Sequence, residues 1–226
     1  MKKITLLLFS GLSLLFGFTS HAQESSGSWD TGMDLYSSYI FRGSKLSSGP
    51  ALQPYFEFST ESFAIGVWGS YSFSAEGVDP ETKIANYYME TDLYASYSFD
   101  FGLALTLTDY FYPPSQFFDG ASHFFEPMAT LELGSFTFTG AYIMGAKETG
   151  ISDLYVEAAL SAGPVDITLG GGDGAYTVDS NFGICNIGIA TSKEIRITDS
   201  FSLPVSGALI LNPSSEQFHV VVGISL

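Results

Sequence analysis

The chain has 226 residues and a formal charge of −16, from 24 aspartates and glutamates against 8 lysines and arginines. So acidic a surface excludes a nucleic-acid partner, because phosphate binding needs clustered cations. The single cysteine, Cys185, excludes an internal disulfide, so packing and hydrogen bonding must close the fold.

Residues 1–22 read as a secretory signal peptide. Lys2 and Lys3 form a basic start, Ile4 to Phe18 is mostly apolar, and Ser20-His21-Ala22 carries small residues at the two cleavage-determining positions. The apolar run is short for a membrane-spanning helix. Residues 23–28 then form a short periplasmic segment, and 29–226 a single domain in which no apolar run reaches the length of a helical span.

From residue 29 onward apolar and polar residues alternate with period two, which gives each strand one apolar and one polar face. In the first strand, Trp29 to Arg42, Met33, Leu35, Tyr39 and Phe41 oppose Asp34, Tyr36, Ser38 and Arg42. In the second, Leu52, Phe56 and Phe58 oppose Gln53, Tyr55 and Glu57; in the third, Ile65, Val67 and Tyr71 oppose Trp68 and Ser70. The fourth sets Tyr87, Met89, Leu93, Tyr97 and Phe99 against Tyr88, Glu90, Asp92 and Tyr94. In the fifth, Leu103, Leu105 and Leu107 oppose Thr106 and Thr108; Asp109 then falls on the apolar phase, and Tyr110, Phe111 and Tyr112 read as an interfacial aromatic girdle that places Asp109 at headgroup depth. The sixth sets Phe125, Ala129 and Leu131 against Glu126, Met128 and Glu132, and the eighth sets Leu154 and Val156 against Asp153, Tyr155 and Glu157. The others, near 136–142, 165–169, 185–190, 203–212 and 218–226, read alike, with Cys185 on the apolar face. Pro54 and Pro127 sit on apolar faces, where a missing N–H weakens the ladder.

About twelve strands of bilayer-crossing length result, with short turns alternating with longer polar connections near 43–50, 75–85, 113–121, 147–152, 171–181 and 212–217. This predicts an all-β fold, a transmembrane antiparallel barrel in the outer membrane, with both termini on the short-turn, periplasmic side. A soluble sandwich or lipocalin-like barrel would turn the apolar faces inward. The near-absence of lysine from the polar faces, and the small Ser, Thr and Gly mixed there with tyrosines and acids, favour a crowded lumen. Such a barrel implies two partners: outer-membrane lipid around the apolar faces and the barrel-assembly machinery engaging the C-terminal strand.

Several of these segments carry a family resemblance. Ser37-Ser38-Tyr39-Ile40-Phe41-Arg42-Gly43, Gly66-Val67-Trp68-Gly69-Ser70, Thr108-Asp109-Tyr110-Phe111-Tyr112-Pro113, Phe201-Ser202-Leu203-Pro204, Asn212-Pro213 and the tail Val220 to Leu226 together resemble the TorF-like porins, a group of conserved outer-membrane β-barrel proteins. The resemblance spans most of the chain after residue 22. It implies channel activity without an agreed substrate and without catalytic residues.

The candidate site is the inward-facing wall: Asp34, Tyr36, Arg42, Tyr55, Glu57, Trp68, Tyr88, Glu90, Asp92, Tyr94, Glu126, Glu132, Asp153 and Glu157. Glu90 and Asp92, two apart on one face, lie about 6.5–7 Å apart along the chain, within the range of paired catalytic carboxylates. Their sharing of a phase with so many other acids marks them as part of an acidic field, with calcium binding as the alternative. Arg42 is expected to pair with an acid such as Glu57 or Glu90. No catalytic set, metal-ligand set or cofactor motif is read; Gly170 to Gly174 precedes no helix and reads as a flexible outer loop. The function expected is a passive channel for small cationic or neutral polar solutes. The alternatives are a non-conducting barrel with ligand- or partner-binding loops and a soluble periplasmic carrier.

Overall fold

Strands that alternate apolar and polar residues can bury every backbone group without a helix only if the sheet closes on itself. In this computed structural model, which describes residues 27–81, 83, 85–146, 150–199 and 201–226, it does. The signal-peptide reading of 1–22 lies outside the described residues. Twelve strands build the barrel: β1 (Ser28–Tyr36), β4 (Ala51–Ser59), β5 (Phe63–Val78), β6 (Ala85–Ser98), β7 (Leu103–Phe111), β8 (His123–Leu133), β9 (Phe136–Met144), β10 (Ser152–Ala162), β11 (Val165–Gly172), β12 (Gly183–Arg196), β13 (Ser202–Asn212) and β14 (Gln217–Ser225). Each pairs antiparallel with its chain neighbour, and β1 closes against β14.

The predicted faces hold along most of the wall. Ile65, Leu93, Leu107, Phe138, Leu169, Ile189 and Val222 point outward, while Trp68, Asp92, Thr108, Ser70 and Ser206 are buried inside. The register runs unbroken through Asp109, which pairs with Leu93 and Phe125, and through Pro127, which pairs with Leu107. Pro54 leaves a gap between the Leu52–Tyr71 and Tyr55–Trp68 rungs without shifting the register. The region 75–85, expected as a loop, is partly strand: past two register shifts β5 runs on to Val78 and β6 begins at Ala85, forming a projecting hairpin.

The first predicted strand is where the sequence reading departs most. The wall ends at Tyr36, and the chain turns into the lumen. Ser37 terminates the ladder by donating its N–H to the Val222 carbonyl (2.8 Å) and accepting the Val222 N–H on its hydroxyl (3.0 Å). Two short strands follow, β2 (Ile40–Phe41) and β3 (Ser44–Lys45), joined by Arg42 (φ 49°) and Gly43 (φ 83°). Positive φ at both loop residues is the I′ geometry that suits the twist of a two-residue hairpin. Gly43 is required twice over, since a Cβ there would collide with the Cys185 carbonyl. Leu46 donates to the Tyr39 carbonyl (2.9 Å) and Ser38 to the Ser47 carbonyl (2.7 Å) within the hairpin, while Asn212 of the wall donates to the Gly43 carbonyl (3.3 Å). Its base is tied to the projecting hairpin by Ser48, whose N–H and hydroxyl both donate to Glu76 (2.7 and 2.6 Å).

Because the chain leaves the wall at Ser37, the alternation assumed for a continuous strand no longer fixes which residues face outward. Tyr39 is buried against Trp68 and Tyr88, and Phe41 packs on Tyr110 and Tyr176; neither faces outward. Cys185 is also corrected. Gly171 pairs with Ile184 and Gly170 with Asn186, so Cys185 is the extra residue of a β-bulge and turns into the lumen, fully buried. Gly170 to Gly172 belong to β11 and not to a flexible loop: a Cβ at Gly170 would strike the Tyr155 hydroxyl, and one at Gly172 would lie 2.7 Å from the Tyr176 ring.

Candidate functional site

All fourteen predicted site residues lie on strands or on the hairpin, and the barrel gathers most of them into three groups. The first surrounds the hairpin tip. Arg42 donates to both oxygens of Glu126 on β8 (2.5 and 2.9 Å) and to the Tyr176 hydroxyl (2.6 Å). Its guanidinium also lies over the rings of Phe41 (4.7 Å) and Tyr155 (4.4 Å). The expected partners Glu57 and Glu90 are displaced by Glu126, because the hairpin carries Arg42 across the lumen, away from its sequence neighbours. Tyr110 also donates to Glu126 (3.1 Å). Beside this pair, Tyr155 donates to Glu157 (2.5 Å), and Asn186 donates to both (3.0 and 3.1 Å).

The second group is on β6. Tyr88 donates to Glu90 (2.9 Å), and the hydroxyls of Tyr39 and Tyr112 also bond it. Asp92, next on the same face and register partner of Trp68, has no hydrogen-bond partner for either carboxylate oxygen among the described residues. The third group lies toward the short turns, where Tyr94 donates to Glu57 (2.8 Å), Tyr55 to Asp30 (3.4 Å) and Ser225 to Asp34 (2.5 Å). Tyr36 belongs to a small apolar cluster with Ile40, Ala208, Ile210 and Val221. Glu132 is half-buried near the short turns, apart from the rest. Asp153 does not line a bore. It accepts from the Ala175 N–H (3.1 Å) while Asp173 accepts from Leu154 N–H (2.6 Å), a reciprocal tie that holds the turn Gly174–Tyr176 in place and presents Tyr176 to Arg42.

Phenols thus answer most of the acids, an arrangement that fills volume and satisfies carboxylates without lysine. Sequence reading missed Tyr39, Phe41, Tyr110, Tyr112 and Tyr176 as lumen residues. For Tyr110 and Tyr112 the signal was present: they continue the phase of Thr106 and Thr108, while Phe111, on the opposite phase, is covered by Phe117 and His123. Asp109, on the outer face, binds His123 Nδ1 (2.9 Å), while His123 Nε2 meets the Phe117 carbonyl (2.5 Å), so both ring nitrogens are engaged. Among the described residues no three acids, histidines or cysteines form a metal-binding group.

The decisive property of the lumen is its dryness at the level of the hairpin. Arg42 is 2 % exposed, Glu90 and Glu126 1 %, and Asp92 and Tyr155 0 %. A bore filled with water would leave its charged lining wet.

The family model described as a bacterial protein of unknown function (Gcw_chp) matches residues 21–184, and the chain belongs to that family. No curated protein matches it. Two solved structures similar to it are triple mutants of the porin from Rhodopseudomonas blastica. One is 12 % identical with a TM-score of 0.42, over 78 % of this chain and 55 % of that one. The other is 9 % identical with a TM-score of 0.34, over 89 % and 99 %. The chain spans about half the length of the first.

Proposed function

We propose that this Gcw_chp family member is an outer-membrane barrel with periplasmic termini, closed by its own inward-folded hairpin and non-conducting while that hairpin is docked. Two features support the membrane setting. The outward faces carry an apolar band, and up to β12 the connections alternate between short turns and longer loops. The observation that carries the closure is the burial of the Arg42–Glu126 pair: a hairpin residue and a residue on β8 are joined across the lumen with both charges out of water.

The second reading is the passive channel implied by the resemblance to TorF-like porins. It is favoured by the acidic wall, which would admit small cations or neutral polar solutes once the hairpin left. One experiment separates the two. Tyr36 and Ala51 are register partners, so the residues between them can be replaced by an Asn-Gly turn without moving β1 or β4. In planar bilayers, wild-type protein is expected to be silent and the turn-replaced barrel to show cation-selective steps. Wild-type conductance equal to that of the replaced barrel would restore the open channel. Recovery of the wild-type protein in the soluble fraction without detergent would remove the membrane setting altogether.

A further inference from the structure

We propose that Asp92 and Glu90 together bind one hard metal cation of the Ca²⁺ class, inside the barrel beside the docked hairpin. The starting point is Asp92. It is fully buried, and neither of its oxygens meets a hydrogen-bond donor among the described residues. A carboxylate taken out of water with no partner is a costly arrangement, and native proteins avoid it by pairing, protonation or coordination.

Pairing is spent elsewhere. Arg42, the cation brought into the lumen by the hairpin, is engaged by both oxygens of Glu126. Glu90 is an acid like Asp92 and offers it no opposite charge. Three phenols, those of Tyr88, Tyr39 and Tyr112, bond Glu90, which stands two residues from Asp92 on the same strand face. Among the described residues Arg42 is the one buried cation set against the buried acids Glu90, Asp92 and Glu126, so the inner wall holds more acid groups than bases. A divalent ion between Asp92 and Glu90 cancels that excess. Same-face neighbours on a strand are about 6.5–7 Å apart along the chain, a span that two side chains and oxygen–metal bonds of about 2.3–2.6 Å can close. Among the described residues no third acid joins them in a metal-binding group, so the proposed set would be completed by neutral oxygens. So few charged ligands put the affinity near 10⁻⁴–10⁻³ M by order of magnitude.

The surrounding tyrosines and Trp68 supply the readout, because they sensitise the emission of Tb³⁺, a surrogate for Ca²⁺. Full-length protein in detergent, titrated with Tb³⁺, is expected to give aromatic-sensitised emission that saturates at about one ion per chain and is displaced by millimolar Ca²⁺. Asp92→Asn should lower that emission at least roughly tenfold, while Asp119→Asn, in an outer loop, should leave it unchanged. Should Asp92→Asn not fold, Glu90→Gln carries the same expectation. Emission equal in wild type and Asp92→Asn, or none that Ca²⁺ displaces, overturns the proposal. Because the measurement is made without a bilayer, it stands or falls independently of whether the barrel conducts.

Discussion

Replacing Glu126 with glutamine removes the charge that holds Arg42 while keeping the shape of the site. Arg42 would keep the Tyr176 hydroxyl and the faces of Phe41 and Tyr155, but as a buried cation without its counter-charge. Removing one partner of a buried ion pair typically costs about 3–5 kcal/mol. Barrel pairing is untouched, since the hairpin strands form their own two-stranded sheet, so the loss falls on docking of the hairpin and not on closure of the wall. At about 1.4 kcal/mol per factor of ten, the undocked population should rise roughly 10²- to 10³·⁵-fold. Trypsin reads this directly, because Arg42 and Lys45 are its sites on the hairpin. Where re-docking is fast relative to cleavage, the cutting rate follows the open population. The expected result is intact wild-type hairpin and cleavage faster by two orders of magnitude or more in Glu126→Gln. The double variant Arg42→Met, Glu126→Met, which leaves no orphan charge, should return cleavage at Lys45 to within about tenfold of wild type. Equal cleavage of wild type and Glu126→Gln would refute the assignment of the pair as the hairpin's fastening.

Three further outcomes follow from the wall itself. Gly170→Ala places a methyl against the Tyr155 hydroxyl and 3.2 Å from the Asn186 Cβ, and should destabilise the barrel by about 1–3 kcal/mol in urea, whereas Gly140→Ala, with open space around it, should change stability by less than about 0.5 kcal/mol. Cys185, buried in the bulge, should resist an apolar maleimide in the native barrel and react only on unfolding; rapid native labelling would return it to the outer face. Leu107→Arg, outward in mid-strand, should cost about 2–4 kcal/mol of folding into bilayers, and a neutral outcome there would contradict lipid contact.

Much of this was legible in the sequence because period two is a local signal. Along β6, all of the inward and outward assignments from Tyr87 to Ser98 hold, and with them the burial of Glu90 and Asp92. Strand count followed from the same pattern, and so did the alternation of turn lengths except at the last two connections, where 213–216 is shorter than 197–201. What failed was non-local. The sequence from Trp29 to Arg42 alternates as though continuous, and nothing in it announces that Tyr36 ends the wall. The two-residue Arg42-Gly43 turn was the available clue, and the long-range partners that fix it, Glu126, Tyr176 and the Cys185 carbonyl, lie at least 84 residues away. Cys185 failed for a related reason. A bulge inverts the phase at one position, and its cause, the space taken by Tyr155 and Tyr176 beside three glycines, belongs to neighbouring strands and a loop. Asp92 lies on the inner wall as expected, yet its lack of a hydrogen-bond donor among the described residues could be seen only once Arg42 had been assigned elsewhere.

The docked hairpin is tested most directly by amide hydrogen exchange across residues 37–50 in the reconstituted barrel. The N–H groups of Ser37, Tyr39 and Leu46, each bonded within the hairpin or to the wall, should exchange as slowly as those of the adjoining strands β4 and β5. Exchange of these amides as fast as that of the outer loop at 113–119 would mean that the hairpin does not occupy the lumen, and that the closed barrel described above is wrong.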